Sequence, residues 1–347
     1  PKYFYSFAKK FSKTKSTIGP FINDENECIV DSEQLAEMLS EQYYSVFSKP
    51  RIEKVVNDPE TFFSEDNLND RPLLNDIDFM EEDIKDAIKI LSPNASPGPD
   101  AFSAKLLKNC MDTLVHPMYL IWRRSLDKGT IPEILKQAII TPIHTCKGES
   151  KAIPKNYRPV SLTSHLTKTF ERVVTSKLVD FLEENNLFNE SQHGFRKGRS
   201  CLSQLVMHYN NILSELERGN NVDVVYLDFA KAFDKVDHGI LCHKLKALGI
   251  SGKMGKWLHN FLNGRTQTVT VNGTQSKNRN VKSSVPQGTV LGPILFLILL
   301  LDIDQNISST VSSFADDTRI SRQITNMEDV ETVSYTHLRA HETSLHL

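Results

Sequence analysis

Asp316 and Asp317 stand side by side in "SSFADDTRI", between short runs of strand-compatible residues. At an effective dielectric near 20, two like charges about 4 Å apart repel by roughly 4 kcal/mol, a large share of the roughly 5–15 kcal/mol that stabilises a domain. Such a pair needs solvent, protons or cations beside it. A solvated turn is the plainest solution, because Asp is a common turn residue. A site for hard cations is the alternative, and it requires further carboxylates. Asp228 supplies one. In "NNVDVVYLDF" the alternation Val222, Val224, Tyr226, Asp228 leaves an aspartate at the end of an otherwise apolar strand, where it serves as a cap, a turn residue or a ligand. If the hairpin carrying Asp316 and Asp317 pairs beside this strand end, three carboxylates converge. Two Mg²⁺ ions are then the natural occupants, because Mg²⁺ takes hard oxygen ligands and leaves room for phosphate.

The elements that must position these residues read as an α+β arrangement. Strands are predicted at "AIITPIHTC", "NNVDVVYLDF", "RTQTVTVNGTQSKNRNVKSSV" with an Asn272-Gly273 hairpin signal, and "TVSSFADDTRI". Helical stretches fall between them at 168–185, 200–218 and 239–248, without the regular beat of parallel βαβ units, so the helices are expected on one face of an antiparallel sheet. Upstream, "DSEQLAEMLSEQYYSVF" spaces its apolar residues at helical intervals behind the cap candidate Asp31. From residue 80, a helix, a Pro/Gly loop and two more helices follow, with Ile84, Ala87, Ile88 and Leu91 on one face. The run "VLGPILFLILLL" is too short to span a bilayer and is broken by Gly292-Pro293; it reads as a buried helix with Pro293 in its first turn.

The 347 residues suffice for two or three subdomains, and the net charge of -2 gives no global basic signature, so nucleic-acid contact must rest on local patches. Lys2, Lys9, Lys10, Lys13 and Lys15 form one, and Lys147, Lys151, Lys155, Arg158, Arg196, Lys197 and Arg199 another. The five cysteines make no C-x-x-C pair, which argues against a zinc knuckle or a disulfide framework and for a reducing, intracellular compartment. There is no secretory signal pattern at the start and no internal repeat.

Three segments in order, "YLDFAKAFDKVDH", "SVPQGTVLGPILF" and "SFADDTRI", resemble the palm motifs of the reverse transcriptase of a non-LTR (LINE-type, jockey-like) retrotransposon. "SPGPDAFSAKLLK" is similar to the family's extra N-terminal fingers segment, "NYRPVSLTSHLTKTFERVV" to its fingers motif and "QHGFRKGRSCLSQL" to the block that follows. The resemblance implies right-hand polymerase fingers and palm, with the thumb absent or incomplete. It implies a linker between endonuclease and polymerase over 1–75, mainly fingers over 76–221 with strands near 138–163, palm over 222–333, and a non-native tail over 334–347. It implies an RNA template, a DNA primer and dNTPs as partners, no membrane, and a nuclear and cytoplasmic setting for the intact element.

Carried over residue by residue, the resemblance makes Asp228, Asp316 and Asp317 the catalytic, metal-binding carboxylates, with the Phe229 carbonyl as a further ligand beside the nucleotide. Two Mg²⁺ ions, replaceable by Mn²⁺, are the implied cofactors. Phe233 matches the aromatic that blocks a ribose 2′-hydroxyl, although its pattern suits a core Phe equally. Gln287 and Gly288 match the floor under the incoming nucleotide. Arg158 and Lys147 match cations that grip the triphosphate, with a solvated loop lysine the alternative for Lys147. Arg196, Lys197 and Arg199 fall near the template-primer backbone, or else form a solvated basic loop.

Two departures stand out. Leu299 and Leu301 occupy places where the family carries an aromatic and an asparagine, and "SYTHLRAHETSLHL", with His337, His341 and His346, matches no family motif. Both ends are therefore expected to be cut. Three readings follow: an RNA-directed DNA polymerase domain, active when complete; an inactive retrotransposon relic that at most binds nucleic acid; and a metal-dependent nuclease.

Overall fold

The computed structural model describes residues 17–23, 25–48, 58–64, 71–145, 148–305 and 307–324. The N-terminal lysine run, Lys147 and the 334–347 tail lie outside them. The described residues form a mixed helix and sheet architecture divided into two compact units, each assembled from segments distant in sequence.

The smaller unit draws on 1–45, 139–160 and 267–279. Its helix Ser32–Ser45 starts where expected, with Asp31 Oδ1 accepting the Gln34 N–H at 3.0 Å. Leu35, Ala36, Leu39 and Tyr43 then fall on one face and are buried with Phe21, Ile140, Tyr157, Val269 and Val271. Asn272 and Gly273, both at positive φ (50° and 92°), join Thr266–Val271 to Thr274–Gln275 as the Asn-Gly signal requires. That hairpin continues a sheet with Gln137–His144 and Tyr157–Leu162. The helix Ser32–Ser45 thus shares a core with strands from the middle of the chain. Local patterning marks a strand but not a partner more than a hundred residues away.

In the larger unit, helices Glu81–Ile90, Met111–Lys128, His165–Glu184, His238–Ala247, Gly252–Leu262 and Gly292–Leu299 contribute to one apolar core. Trp122 stacks on Phe170 (centroids 4.9 Å apart, planes at 3°), and Trp257 meets the same ring edge-on at 5.2 Å. The apolar run is the helix Gly292–Leu299, with Pro293 in its first turn and every other residue buried. Leu299 is buried and Leu301 packs against the same core, so the first departure from the family pattern is absorbed as packing. Among the described residues, no helix is long and apolar enough to cross a membrane.

Three antiparallel strands complete this unit: Asp317–Ile324 in the middle, flanked by Asn221–Leu227 and Thr310–Phe314. Helix Cys201–Glu217 packs on both flanking strands. Its start is set by Ser200, whose hydroxyl accepts the Ser203 N–H.

Candidate active site

Strand register decides where the aspartates fall. Leu227 pairs with Thr318 and Tyr226 with Arg319, so one further step sets Asp228 opposite Asp317 at the strand ends. On the other side Asp317 pairs with Phe314, which leaves Ala315 and Asp316 as a two-residue connection. The sheet therefore brings all three aspartates to one end. Asp228 and Asp317 are exposed and Asp316 half-buried. Among the described residues no three or more His, Cys, Asp or Glu side chains already stand together as a metal-holding group. Exposed like charges gain by separating through solvent, so the backbone juxtaposition does not by itself close the carboxylates. Phe229 buries its ring, and its carbonyl accepts the Ala232 N–H at 3.2 Å, leaving a second lone pair.

A second group assembles around "PQG". The chain at 233–236 runs beside 283–285, with Val285 N–H donating to Phe233 O at 3.0 Å and Ser284 N–H to Val236 O at 2.9 Å. Phe233 stacks on Phe296 (4.4 Å, 18°) and stays half-buried. Asp234 is hydrogen-bonded to the Gln287 side chain; burial pushes its carboxyl up to about 6, against the opposing pull of Lys231 and Gln287. The Gln287 carbonyl accepts the Ser161 N–H at 2.8 Å. Gly288 has φ +114°, and a Cβ there would lie 2.5 Å from Ser161 O, so this close backbone approach requires glycine. Behind it, the fully buried Glu171 accepts the N–H groups of Val290 and Leu291 at 2.6 and 3.1 Å, where helix Gly292–Leu299 begins. Burial raises the Glu171 pKa, while those two bonds and the positive charges of Arg265 and Lys168 lower it.

Phe233, Gln287 and Gly288 are thus brought together in the larger unit, whereas Arg158 is an exposed residue of the smaller one. The basic loop is more tied down than expected. Arg196 holds Glu183 through two bonds of 3.1 and 2.9 Å, donates to Asn189 O and lies over Phe188, leaving its side chain 6% exposed. Arg199 pairs with Glu190, while Lys197 is exposed. Sequence reasoning missed three polar residues: Asp234, Glu171 and Gln192. All three lie inside the motifs named above, but their partners are 53, about 120 and 123 residues away.

The chain belongs to the reverse transcriptase (RNA-dependent DNA polymerase) family, whose model matches residues 146–345. It is 33% identical to the probable RNA-directed DNA polymerase from transposon BS of Drosophila melanogaster, over 64% of this chain and 24% of that protein. It is 31% identical to the probable RNA-directed DNA polymerase from transposon X-element of the same fly, over 68% and 26%. To the RNA-directed DNA polymerase from the mobile element jockey it is 30% identical, over 69% and 27%. The chain therefore spans about a quarter of the length of these curated relatives.

Proposed function

We propose that this chain is the polymerising part of a non-LTR retrotransposon reverse transcriptase, extending a DNA primer on an RNA template from dNTPs. The observation that carries the proposal is the register that pairs Leu227, next to Asp228, with Thr318, next to Asp317, with Asp316 in the adjoining turn. Three carboxylates at one sheet end are a hard-oxygen donor set suited to Mg²⁺, with Mn²⁺ as a substitute. Asp228, Asp316 and Asp317, with the Phe229 carbonyl, would hold the ions. When bound, these supply the positive charge that lowers the pKa of the primer 3′-hydroxyl and offsets charge on the departing pyrophosphate.

The remaining roles belong to the chain's own residues. Phe233, held against Phe296, excludes a ribose 2′-hydroxyl. Gln287 and Gly288 form the floor below the incoming nucleotide, fixed by Ser161 and Asp234. Arg158 and Lys147 bind the triphosphate, and the attacking hydroxyl then meets the α-phosphate in line. Lys197 and Arg199 contact the template-primer backbone without reading sequence, and Arg196 shapes their loop through Glu183. The fingers fall mainly over 76–221 and the palm over 222–333. The setting is the nucleus and cytoplasm, where template and target are found.

Primer extension on an RNA template tests this, with Mg²⁺ present or chelated and Asp316→Asn as control. The expected result is metal-dependent extension by the wild type that the variant loses. No extension would overturn the polymerase reading and leave that of a nucleic-acid-binding relic. Template cleavage without added dNTPs would instead identify a nuclease.

A further inference from the structure

The aspartate turn has an unusual residue at its centre. Ala315 sits at φ +56°, in the left-handed region that costs a residue with a Cβ roughly 1–2 kcal/mol. Glycine would adopt the same backbone freely, and alanine does not. The stabilisation comes from elsewhere in the chain.

Gln192 provides it. Its Oε1 accepts the Ala315 N–H at 2.8 Å and the Gly194 N–H at 2.8 Å, while its Nε2 donates to the Ala315 carbonyl at 3.2 Å. One carboxamide therefore satisfies both backbone polar groups of the strained residue, in a place where Gln192 is 6% and Ala315 5% exposed. The surrounding backbone is built for this approach. A Cβ on Gly194 would lie 2.4 Å from the Ala315 nitrogen, so position 194 admits no side chain. His193 N–H donates to Ser313 O at 2.8 Å, and Ser313 N–H to Ser191 O at 2.9 Å, which lashes 191–193 to the strand entering the turn.

We propose that Gln192 is a positioning residue for the metal-binding turn: by gripping Ala315 it fixes the backbone on which Asp316 and Asp317 stand. This rests on the reading of those aspartates as metal ligands. Gln192 grips the turn at its backbone groups, at the Ala315 N–H and C=O. A buried hydrogen-bonding group that orients a ligand segment commonly governs metal affinity by about 10–100-fold. Gln192→Glu keeps an acceptor for the two N–H groups but sets a carboxylate oxygen against the Ala315 carbonyl. Gln192→Met keeps the length and makes none of the three bonds.

The test uses the full chain and Mn²⁺ as the probe, with free Mn²⁺ read by electron paramagnetic resonance. Amide hydrogen exchange of the 312–318 segment and thermal melting are measured in parallel. Wild type is expected to bind Mn²⁺ in a manner that Asp316→Asn weakens, and to protect the turn amides. Gln192→Met should weaken Mn²⁺ binding about tenfold or more and speed exchange in 312–318 while the rest of the chain keeps its protection, with Gln192→Glu between. Unchanged Mn²⁺ affinity in both folded variants would overturn the positioning role, even if their melting temperatures fell. Should neither variant fold, the wild type decides: rapid exchange at the Ala315 amide would overturn the clamp, and protection there would support it. Failure of the underlying reading shows separately, as wild-type Mn²⁺ binding that is absent or indifferent to Asp316→Asn.

Discussion

A single proton separates two states of Asp234. Its folded pKa of about 6 lies above the ordinary 3.8, chiefly because burial disfavours the charge. Between these values the folded chain binds more protons than the unfolded one, so stability falls as pH rises through the folded pKa. The contribution is fully present below about pH 4 and lost above about pH 6. Asp234→Asn removes the titration while keeping a partner for Gln287. Urea unfolding from pH 4.5 to 8 should show the variant gaining on the wild type with rising pH, by an amount on the order of 3 kcal/mol at the upper end. A difference independent of pH would contradict the assigned burial. Nothing in "AFDKVDH" distinguishes this residue, because desolvation depends on what packs over a side chain and leaves no mark in a local pattern. Gln192 is equally unmarked in sequence, because its partner Ala315 lies 123 residues away.

Elements carried more legible signals than residues. The Asp31 cap, the apolar stripe behind it, the Asn272-Gly273 turn and the Pro293 helix start all formed within a few residues of the sequence expectation. Each is a local device whose geometry is specified by neighbours in the chain. Gly288 belongs to a different category, since its requirement arises from Ser161, far away in sequence. Gly288→Ala would place a Cβ against that carbonyl at a φ few L-residues adopt, costing roughly 1–3 kcal/mol. A melting temperature several degrees lower is expected, with the loss of protection centred on the "PQG" turn in hydrogen exchange. An unchanged melt would show that the turn relaxes without needing glycine.

At the scale of the whole molecule, the motifs were recognisable in order, and the family match over 146–345 bears out that resemblance. The division into units was not recognisable, because each unit gathers segments separated by long stretches of chain. Register gave what spacing alone could not, the placement of Asp228 against the turn 88 residues later. At that end of the sheet, hard cations are proposed to draw the three carboxylates together. Anomalous scattering at the manganese edge, from crystals of the full chain grown with Mn²⁺, tests it most directly. The expected map has its strongest peaks within coordination distance of the oxygens of Asp228 and of the Asp316-Asp317 turn. A map with manganese elsewhere, or none at that end of the sheet, would contradict the account.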